Sequence, residues 1–219
     1  MKRPGIYGIN CVPIIKEEMN FAPVESEPSI LSAENLCQLF HRNNQLPCLI
    51  LRTSRFFPEK DDKKEVREGY EDSNAKTNEF LFRRVDIEDV VSAHLLAMEK
   101  APEIGFARYI ISATTPFLQN DLLELRSDAE AVVKRIIPEY EDEYRRRAWK
   151  MISKIDRVYV NERARSELGW DPQHNFGNVL DRLKANGKPL SPLAYIIGAK
   201  GYHFTKFDDG PYSVDLTIG

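Results

Sequence analysis

The residues best suited to ligand chemistry in this sequence follow a short apolar run. The run CLIL at positions 48–51 predicts a buried strand. Four polar residues come directly after it, namely Arg52, Thr53, Ser54 and Arg55. In open α/β sheets, ligands bind outside the carboxyl ends of the strands, which is where these side chains would emerge. Because a guanidinium group can hold a phosphate or carboxylate through two parallel hydrogen bonds, the sequence predicts an anion site here.

Each arginine also has a purely structural interpretation. Arg52 could instead pair with a buried acid such as Asp89 and only orient the loop, and the residues do not decide between these roles. For Arg55, contact with a ligand is favoured. Arg83 and Arg84 form a second basic pair just before a predicted helix, and surface exposure is the expected state for both.

Several common cofactor and catalytic motifs are missing. A dinucleotide-binding unit needs a glycine-rich turn between its first strand and helix, so that backbone amides can approach the pyrophosphate. Gly5 and Gly8 do not follow a predicted strand, and the next glycine is Gly69. The histidines lie far apart, and none pairs with another His or Cys at the spacing of metal ligands. Structural or surface roles, and no metal site, are therefore expected for His41, His94, His174 and His203.

Alternating helix and strand patterns predict an α/β fold. Ser32 is placed to cap a helix in which Leu36, Leu39 and Phe40 share one face. The strand at 48–51 is expected to be covered on both faces. Further helices are predicted at 85–100, 121–136, 141–150, 163–168 and 175–183, and further strands at 108–113 and 156–160. Asp86 or Asp89 is placed to begin the first of these further helices, and Gly169 to end the fourth.

Two stretches are dominated by charge. Residues 59–78, EKDDKKEVREGYEDSNAKTN, are almost entirely charged or polar. Such a composition cannot bury a core, so this stretch is predicted to be a solvated, mobile connection, although within a known fold it could form a lid over a site. The helix at 141–150, EDEYRRRAWK, is expected to be exposed on most sides.

The overall composition is that of an ordinary globular protein, with 42% hydrophobic and 30% charged residues. A net charge of −3 argues against a general nucleic-acid binder, because neutralising phosphates requires a basic surface. No apolar run approaches the roughly 20 residues that span a bilayer. Cys11, Cys37 and Cys48 form no close-spaced pair, which fits a reducing, cytoplasmic location, and the last two are expected to be buried.

Three blocks of the sequence resemble motifs of one enzyme family. LILRTSRFFPE, from Leu49, is similar to the strand-and-loop motif LRPxNxYGP, and RRVDIEDVVSAHLLAMEKA, from Arg83, is similar to the helix motif hVdDvarAhllAle. YVNERARSELGWDP, from Tyr159, resembles the closing motif D-x-S-K-A-x-x-x-LGW-x-P. The blocks occur in family order over roughly 32–185. The chain therefore resembles the NAD-dependent epimerase/dehydratase family, the extended short-chain dehydrogenases/reductases.

The resemblance implies an incomplete Rossmann-like, doubly wound sheet and a smaller, mostly helical C-terminal substrate domain. The implied parts are an atypical N-terminal segment at 1–31, a remnant of the NAD(P)-binding domain at 32–115 with a charged insertion at 59–78, and a substrate-type domain with a tail at 116–219. The family helix that corresponds to 32–42 also forms a dimer interface, so a homodimer or heterodimer through this helix is expected.

Site roles follow from the resemblance at the matched positions. Family members bind NAD or NADP and act on nucleotide sugars or related substrates. Cofactor contacts are implied for Thr53 and Ser54, and substrate contacts for Arg52, Arg55, Phe57 and Arg84. Asp89, which matches an aspartate packed behind the sheet, is expected to be structural, and Trp170 and Pro172 are expected to be core residues.

The sequence departs from the family at its catalytic Tyr-x-x-x-Lys pair. A tyrosine with a pKa near 10 is a poor base at neutral pH unless a neighbour such as this lysine lowers that pKa. Counting back from the helix places Ser26 and Ile30 at the two positions. The text YGINC, which begins at Tyr7, resembles the family text displaced upstream, with Cys11 in place of lysine. Tyr7 is thus the candidate catalytic residue, and catalysis is expected to be impaired.

The resemblance also implies that the chain starts at the catalytic helix and lacks the cofactor-binding strands. Losing these strands would expose apolar surface on the rest of the sheet. The alternative to an impaired enzyme is therefore a non-catalytic remnant that serves as a ligand-binding or dimerisation module.

Overall fold

The computed structural model describes residues 14–15, 28–61 and 63–198, with side chains from Ser32 onward. Its strands are β1 (Ile14–Ile15), β2 (Cys48–Thr53), β3 (Phe106–Ile111) and β4 (Val158–Tyr159). Its helices are α1 (Pro28–Asn44), α2 (Lys64–Gly69), α3 (Asp72–Glu79), α4 (Ile87–Ile104), α5 (Leu122–Leu125), α6 (Ala129–Ile136), α7 (Tyr140–Arg146), α8 (Glu162–Leu168), α9 (Phe176–Lys184) and α10 (Pro192–Ile197). The predicted α/β class is confirmed. Within these residues, no helix combines the length and apolar composition needed to cross a bilayer.

The described strands form two parallel pairs. β2 pairs with β3 over its full length, with Cys48 opposite Phe106 and Thr53 opposite Ile111. Helix α4 provides the crossover that two parallel strands require. β1 pairs with β4. The Ser54 N–H donates to the Ile111 carbonyl at 2.8 Å, so the loop after β2 begins beside the carboxyl end of β3.

The two faces of the β2–β3 sheet are covered by different kinds of side chain. On one face, α4 and α8 pack apolar residues against both strands, together with the buried ring of Trp170. On the other face, α1 contributes Glu34, which binds Arg52, and His41, which stacks on Phe106 at 5.7 Å. The prediction that β2 is covered on both faces is confirmed, since α1 and α4 contact it from opposite sides, but the strand is half-buried and not fully buried.

A second apolar core lies among the helices outside that sheet. Phe80 and Leu81 reach it from the turn after α3, Tyr144 from α7, and Phe176 and Leu180 from α9. All of these side chains are buried. Apolar side chains from several helices enclose this core, whereas on the α1 face of the sheet the ion pair of Arg52 lies beside the buried Ile110.

The charged segment at 59–78 is not a solvated, mobile connection, and that prediction is wrong. It forms α2 and α3, and much of α3 is buried. The Asn74 and Asn78 side-chain amides both donate to the Lys150 carbonyl at 3.0 Å, and Asn78 also accepts from the Tyr144 hydroxyl at 2.8 Å. Buried polar groups are tolerated when they are hydrogen-bonded, and these partners lie far away in the sequence.

The helix predicted at 121–136 is broken into α5 and α6. The Asp128 carboxylate accepts a hydrogen bond from the Ala131 N–H at 3.0 Å and so starts a new helix. Two other predicted helix ends are confirmed. Asp86 caps α4 through the Glu88 N–H, and Gly169 ends α8 with a φ of 68°.

The helix predicted at 141–150 is shorter than expected and is not exposed on most sides. It ends at Arg146, and Tyr140 and Tyr144 on its inner side are buried in the helical core. The two rings pack edge-to-face, with 5.0 Å between their centroids. Aromatic burial therefore decides the position of a helix whose composition is strongly charged.

Candidate functional site

Arg52 lies on the α1 face of the sheet, where a carboxylate holds it. Its Nε and Nη2 atoms donate to the two carboxylate oxygens of Glu34 at 2.8 and 2.7 Å. Arg108 Nε donates to the same carboxylate at 3.0 Å. The hydrogen bond from Arg52 lowers the pKa of Glu34, burial opposes this, and Arg108 adds to it. Asp89, suggested from the sequence as the partner of Arg52, is therefore not that partner.

Asp89 instead fixes the turn before α9. Its carboxylate oxygens accept hydrogen bonds from the N–H groups of Gln173 at 2.8 Å and His174 at 2.9 Å. Burial raises the pKa of Asp89, and these two hydrogen bonds oppose the rise. Trp170 is buried beside it and donates to the Asp89 carbonyl at 3.1 Å. The structural roles expected for Asp89 and Trp170 are confirmed.

Three arginines and two acids meet at the carboxyl end of β2 and form the arginine–carboxylate cluster, which comprises Arg55, Asp61, Glu79, Arg83 and Arg84. A short bridge aligns the backbone, since the Arg55 N–H donates to the Arg83 carbonyl at 3.2 Å. Asp61 accepts from Arg55 at 2.9 Å and from Arg83 at 3.1 Å. Glu79 accepts from Arg83 at 2.7 Å and from Arg84 at 2.8 Å. Each guanidinium group is thus bound to at least one carboxylate.

Burial within the cluster decreases from Arg84 outward. Arg84 is 1% exposed, so the predicted surface exposure of this residue is wrong. The side chains of Arg55 and Arg83 are 22% and 28% exposed and reach towards solvent. Burial would raise the pKa of Asp61, but the Lys63 N–H and the charges of Arg55 and Arg83 lower it overall. Asp61 is therefore charged at neutral pH.

Two buried polar atoms in or next to the cluster have no partner among the described residues. Ser54 Oγ and Arg83 Nε are buried and have no hydrogen-bond partner within the described part of the chain. Glu59 lines the same small cavity as Arg55 and Arg84, so three carboxylates accompany the three guanidinium groups and the set is formally neutral.

The structure brings some predicted site residues together and separates others. Phe57 lies beside the cluster, since its carbonyl accepts a hydrogen bond from Arg84 at 3.1 Å and its ring packs on the preceding phenylalanine. Thr53 is exposed at the end of β2. Arg52 is bound on the opposite, α1 face of the sheet. Tyr7 lies outside the described residues.

Sequence reasoning missed the two acids of the cluster, Asp61 and Glu79. Both lie in or next to the charged segment, whose composition does not separate them from its other acids. A cleft of about 360 Å³ adjoins Asp61 and is lined by residues that include Lys60, Arg67 and Tyr70. Arg67 also holds the loop, because its Nη1 donates to the Asp61 carbonyl at 2.8 Å.

The strand ends do not fit a nicotinamide dinucleotide. A pyrophosphate needs a glycine-rich turn, because a Cβ would keep the backbone amides away from it. The turn after β2 begins with Ser54 and Arg55, and the turn after β3 begins with Ser112 and Ala113. No step through such a cofactor can therefore be built on these two turns. The described residues likewise hold no group of three or more His, Cys, Asp or Glu side chains placed for a metal ion.

Comparisons with known proteins give little similarity. No family model matches this sequence, and no curated protein matches it. A solved structure described as RMD from Pseudomonas aeruginosa complexed with NADPH is 15% identical, with a TM-score of 0.43. That similarity covers 83% of this chain and 62% of the other, so the chain spans less than two thirds of that protein. The identity and TM-score are both too low to assign the chain to a family.

Proposed function

We propose that this chain is an epimerase/dehydratase-like protein, of the extended short-chain dehydrogenase/reductase type, that binds a nucleotide-sugar-like ligand without transferring a hydride. The proposed architecture is an incomplete Rossmann-like sheet, to which β2 and β3 belong. The observation that supports the ligand class is the pair of partly exposed guanidinium groups of Arg55 and Arg83 in the arginine–carboxylate cluster at the carboxyl end of β2.

The diphosphate of such a ligand would bind Arg55 and Arg83. Both side chains are partly exposed, and they share the carboxylate of Asp61. A phosphate could therefore approach both guanidinium groups from solvent, in competition with Asp61. The Phe57 ring, 36% exposed, offers an apolar surface beside these groups for a sugar or base.

Hydride transfer is not part of this proposal. The turns after β2 and β3 lack glycine, and counting back from α1 puts Ser26 and Ile30 at the positions of the family's Tyr-x-x-x-Lys pair. The displaced text that begins at Tyr7 has Cys11 in place of the lysine, so it also lacks the group that would lower the pKa of the tyrosine. Neither serine nor isoleucine can replace a tyrosine whose pKa is lowered by a lysine. The predicted outcome is ligand binding without turnover.

Calorimetry with the full chain tests the proposal, with UDP- and GDP-sugars, pyrophosphate and NADPH as separate titrants. We expect binding of nucleotide sugars, about tenfold weaker in Arg55→Gln because a charge-assisted pair is lost. Asp61→Asn should strengthen binding, since it removes the competing carboxylate. Arg165→Gln, an exposed arginine on α8, is the control. Absence of heat with every nucleotide sugar at millimolar concentration would reject the proposal.

A second candidate function, homodimerisation, is favoured by one observation on α1. Leu36, Leu39 and Phe40 lie one turn apart and are 52%, 43% and 48% exposed. An apolar helix face of this kind can be buried against its own copy in a symmetric interface. Sedimentation velocity should show a dimer that Phe40→Glu converts to monomer, whereas Leu123→Glu, at another exposed leucine, leaves it intact. A wild-type chain that stays monomeric at high concentration would contradict this function.

A further inference from the structure

Two cysteines that stand apart in the sequence meet where α1 packs on β2. Cys37 lies in α1, and Cys48 is the first residue of β2. Both are free thiols, and both are partly exposed. Neither belongs to the arginine–carboxylate cluster, so the chemistry of this pair is independent of the proposed ligand site.

The contacts of α1 place Cys37 on the side of the helix that faces the sheet. Glu34 binds Arg52, and His41 stacks on Phe106 at 5.7 Å. Cys37 lies one turn after Glu34 and one turn before His41, and residues three or four positions apart share one side of a helix. Its thiol is therefore directed towards the sheet, between these two anchors.

The register of β2 turns Cys48 towards the same space. Side chains alternate between the two faces of a strand, so Cys48 shares the α1 face with Arg52, which is four positions further on. Cys48 also lies opposite Phe106, the residue on which His41 stacks. The two thiols are in contact there: burial raises the pKa of Cys48, and its hydrogen bond with the Cys37 thiol raises it further.

The backbone on either side of the pair is held in place. The His41 Nδ1 atom lies 2.9 Å from the Leu46 carbonyl oxygen, and the Cys48 N–H donates to the Gly105 carbonyl at 2.7 Å. The ion pair of Glu34 with β2 holds the other end of the contact. A disulfide needs side chains that converge. Because the two thiols converge between anchored elements, the bond can form without detaching α1 from the sheet.

We propose that Cys37 and Cys48 form a reversible disulfide by exchange with a small-molecule disulfide of the oxidised-glutathione class. One thiolate of the pair attacks a sulfur atom of that reagent, which forms a mixed disulfide and releases one glutathione thiolate. The second cysteine, as its thiolate, then attacks the protein sulfur of the mixed disulfide and releases the other glutathione. The chain gives up two electrons and its two thiol protons, and the reagent becomes two glutathione thiols.

The disulfide would join α1 covalently to β2, across the face where ion pairs hold them together. Such a cross-link removes unfolded and partly opened conformations in which α1 leaves the sheet. By linkage, the factor by which folding favours the disulfide equals the factor by which the disulfide favours folding. Oxidation should therefore stabilise the attachment of α1, and reduction should restore its ordinary opening.

Mass spectrometry of the full chain, equilibrated in glutathione redox buffers and quenched in acid, provides the test. Trypsin cleaves after Lys16, Arg42 and Arg52, so each cysteine lies in a separate peptide and its partner can be identified. We expect a monomeric chain about 2 Da lighter than the reduced form, in which the peptides of Cys37 and Cys48 are linked, and dithiothreitol should reverse the change. In the same buffer, the ratio of disulfide to dithiol should be at least about tenfold higher in the folded chain than in chain unfolded by urea.

Serine variants separate the proposed pair from the third cysteine. Cys11→Ser should oxidise as the wild type does. Oxidation of the wild type should slow amide hydrogen exchange in α1 by about tenfold, whereas the same buffer should leave exchange in Cys37→Ser unchanged.

Five results would each overturn the proposal. They are no oxidation in the most oxidising buffer, glutathione adducts without linked peptides, a link that includes Cys11, a link between two chains, and equal disulfide ratios in the folded and unfolded chains. The first four are read from the wild-type chain alone, so they do not depend on whether any variant folds.

Discussion

The sheet region and the helical region of this molecule cover their apolar residues to different extents. The sheet region consists of α1, β2, α4, β3 and α8, and the helical region consists of α3, α5 to α7, α9 and α10. In the helical region, Phe176 and Leu180 are almost completely buried. In the sheet region, Leu49 and Leu51 of β2 are only half-buried. Both leucines lie on the face that α4 and α8 cover. The helical region therefore buries its apolar residues more completely than β2 does, even on the apolar face of the sheet.

Helix α1 adds a second difference, on the other face of the sheet. It turns Glu34 and His41 towards the sheet and leaves Leu36, Leu39 and Phe40 exposed. An ordinary surface helix has the opposite arrangement, with its apolar stripe towards the core. One face of the sheet is thus held by ion pairs and hydrogen bonds. The apolar side of α1 is left for another surface, which is why it supports a homodimer as the second candidate function.

Truncating one leucine in each region should have the largest effect on the free energy of unfolding. The two variants test directly whether the helical region buries its leucines more completely than β2 does. We expect Leu180→Ala to cost about 3–4 kcal/mol, because it leaves a cavity in a closed core, and Leu51→Ala to cost about 1–2 kcal/mol. Half-buried side chains lose less transfer free energy on truncation. Urea unfolding measures both free energies. Equal costs for the two variants would mean that β2 is as well covered as α9.

Breaking the ion pair between α1 and β2 should cause the next largest loss of unfolding free energy. Glu34→Gln removes the charge that binds both Arg52 and Arg108, and we expect a loss of about 2–3 kcal/mol. The same substitution at an exposed glutamate of α4, Glu99→Gln, is the control and should change stability by no more than about 0.5 kcal/mol. Urea unfolding again measures both values, and equal losses would mean that the buried ion pair contributes no more than a surface charge.

The pH dependence of this effect has a fixed sign. The pKa of Glu34 in the folded chain lies below its ordinary value of 4.5. Its contribution to stability is therefore complete above that value and is lost as the pH falls through the lower, folded pKa. The stability difference between wild type and Glu34→Gln should shrink in acid. A difference that stayed constant from about pH 6 to about pH 3 would show that the charge of Glu34 does not matter.

Local sequence patterns correctly predicted the helices and strands whose position depends on a few neighbouring residues. Asp86 marked the start of α4, and Gly169 marked the end of α8, because a cap is set by one or two neighbouring residues. The apolar runs before Arg52 and around Tyr109 located the two long strands. The end of β2 also placed Arg55 at the carboxyl edge of the sheet, as the structure does, while its contact with a ligand stays a prediction.

The features that sequence patterns did not predict depend on partners far away in the chain. Asn74 and Asn78 are buried because the Lys150 carbonyl is there to accept from both, and no local pattern links residues more than 70 positions apart. Cys37 and Cys48, expected to be buried, are half-buried because the interface between α1 and β2 is polar.

The acids of the cluster are a different case, because Glu79 pairs with Arg83 four residues on and Asp61 with Arg55 six residues back. They were missed because the composition of the charged segment does not separate them from its other acids.

The smallest effect on the free energy of unfolding is expected for a substitution on the outer side of α4. The same substitution tests whether the exposed face of α4 or that of α1 forms a dimer interface. Val91, Leu95 and Met98 are exposed there, on the side of the sheet opposite α1. Met98→Lys should change the unfolding free energy by no more than about 0.5 kcal/mol, because the side chain is 68% exposed and leaves no cavity. It should also leave the sedimentation coefficient unchanged, unlike Phe40→Glu on α1. If Met98→Lys dissociates a dimer and Phe40→Glu does not, the dimer interface lies on α4. The polar side chains that α1 turns towards the sheet would then only pair with β2 and β3, and its exposed apolar face would have no role in assembly.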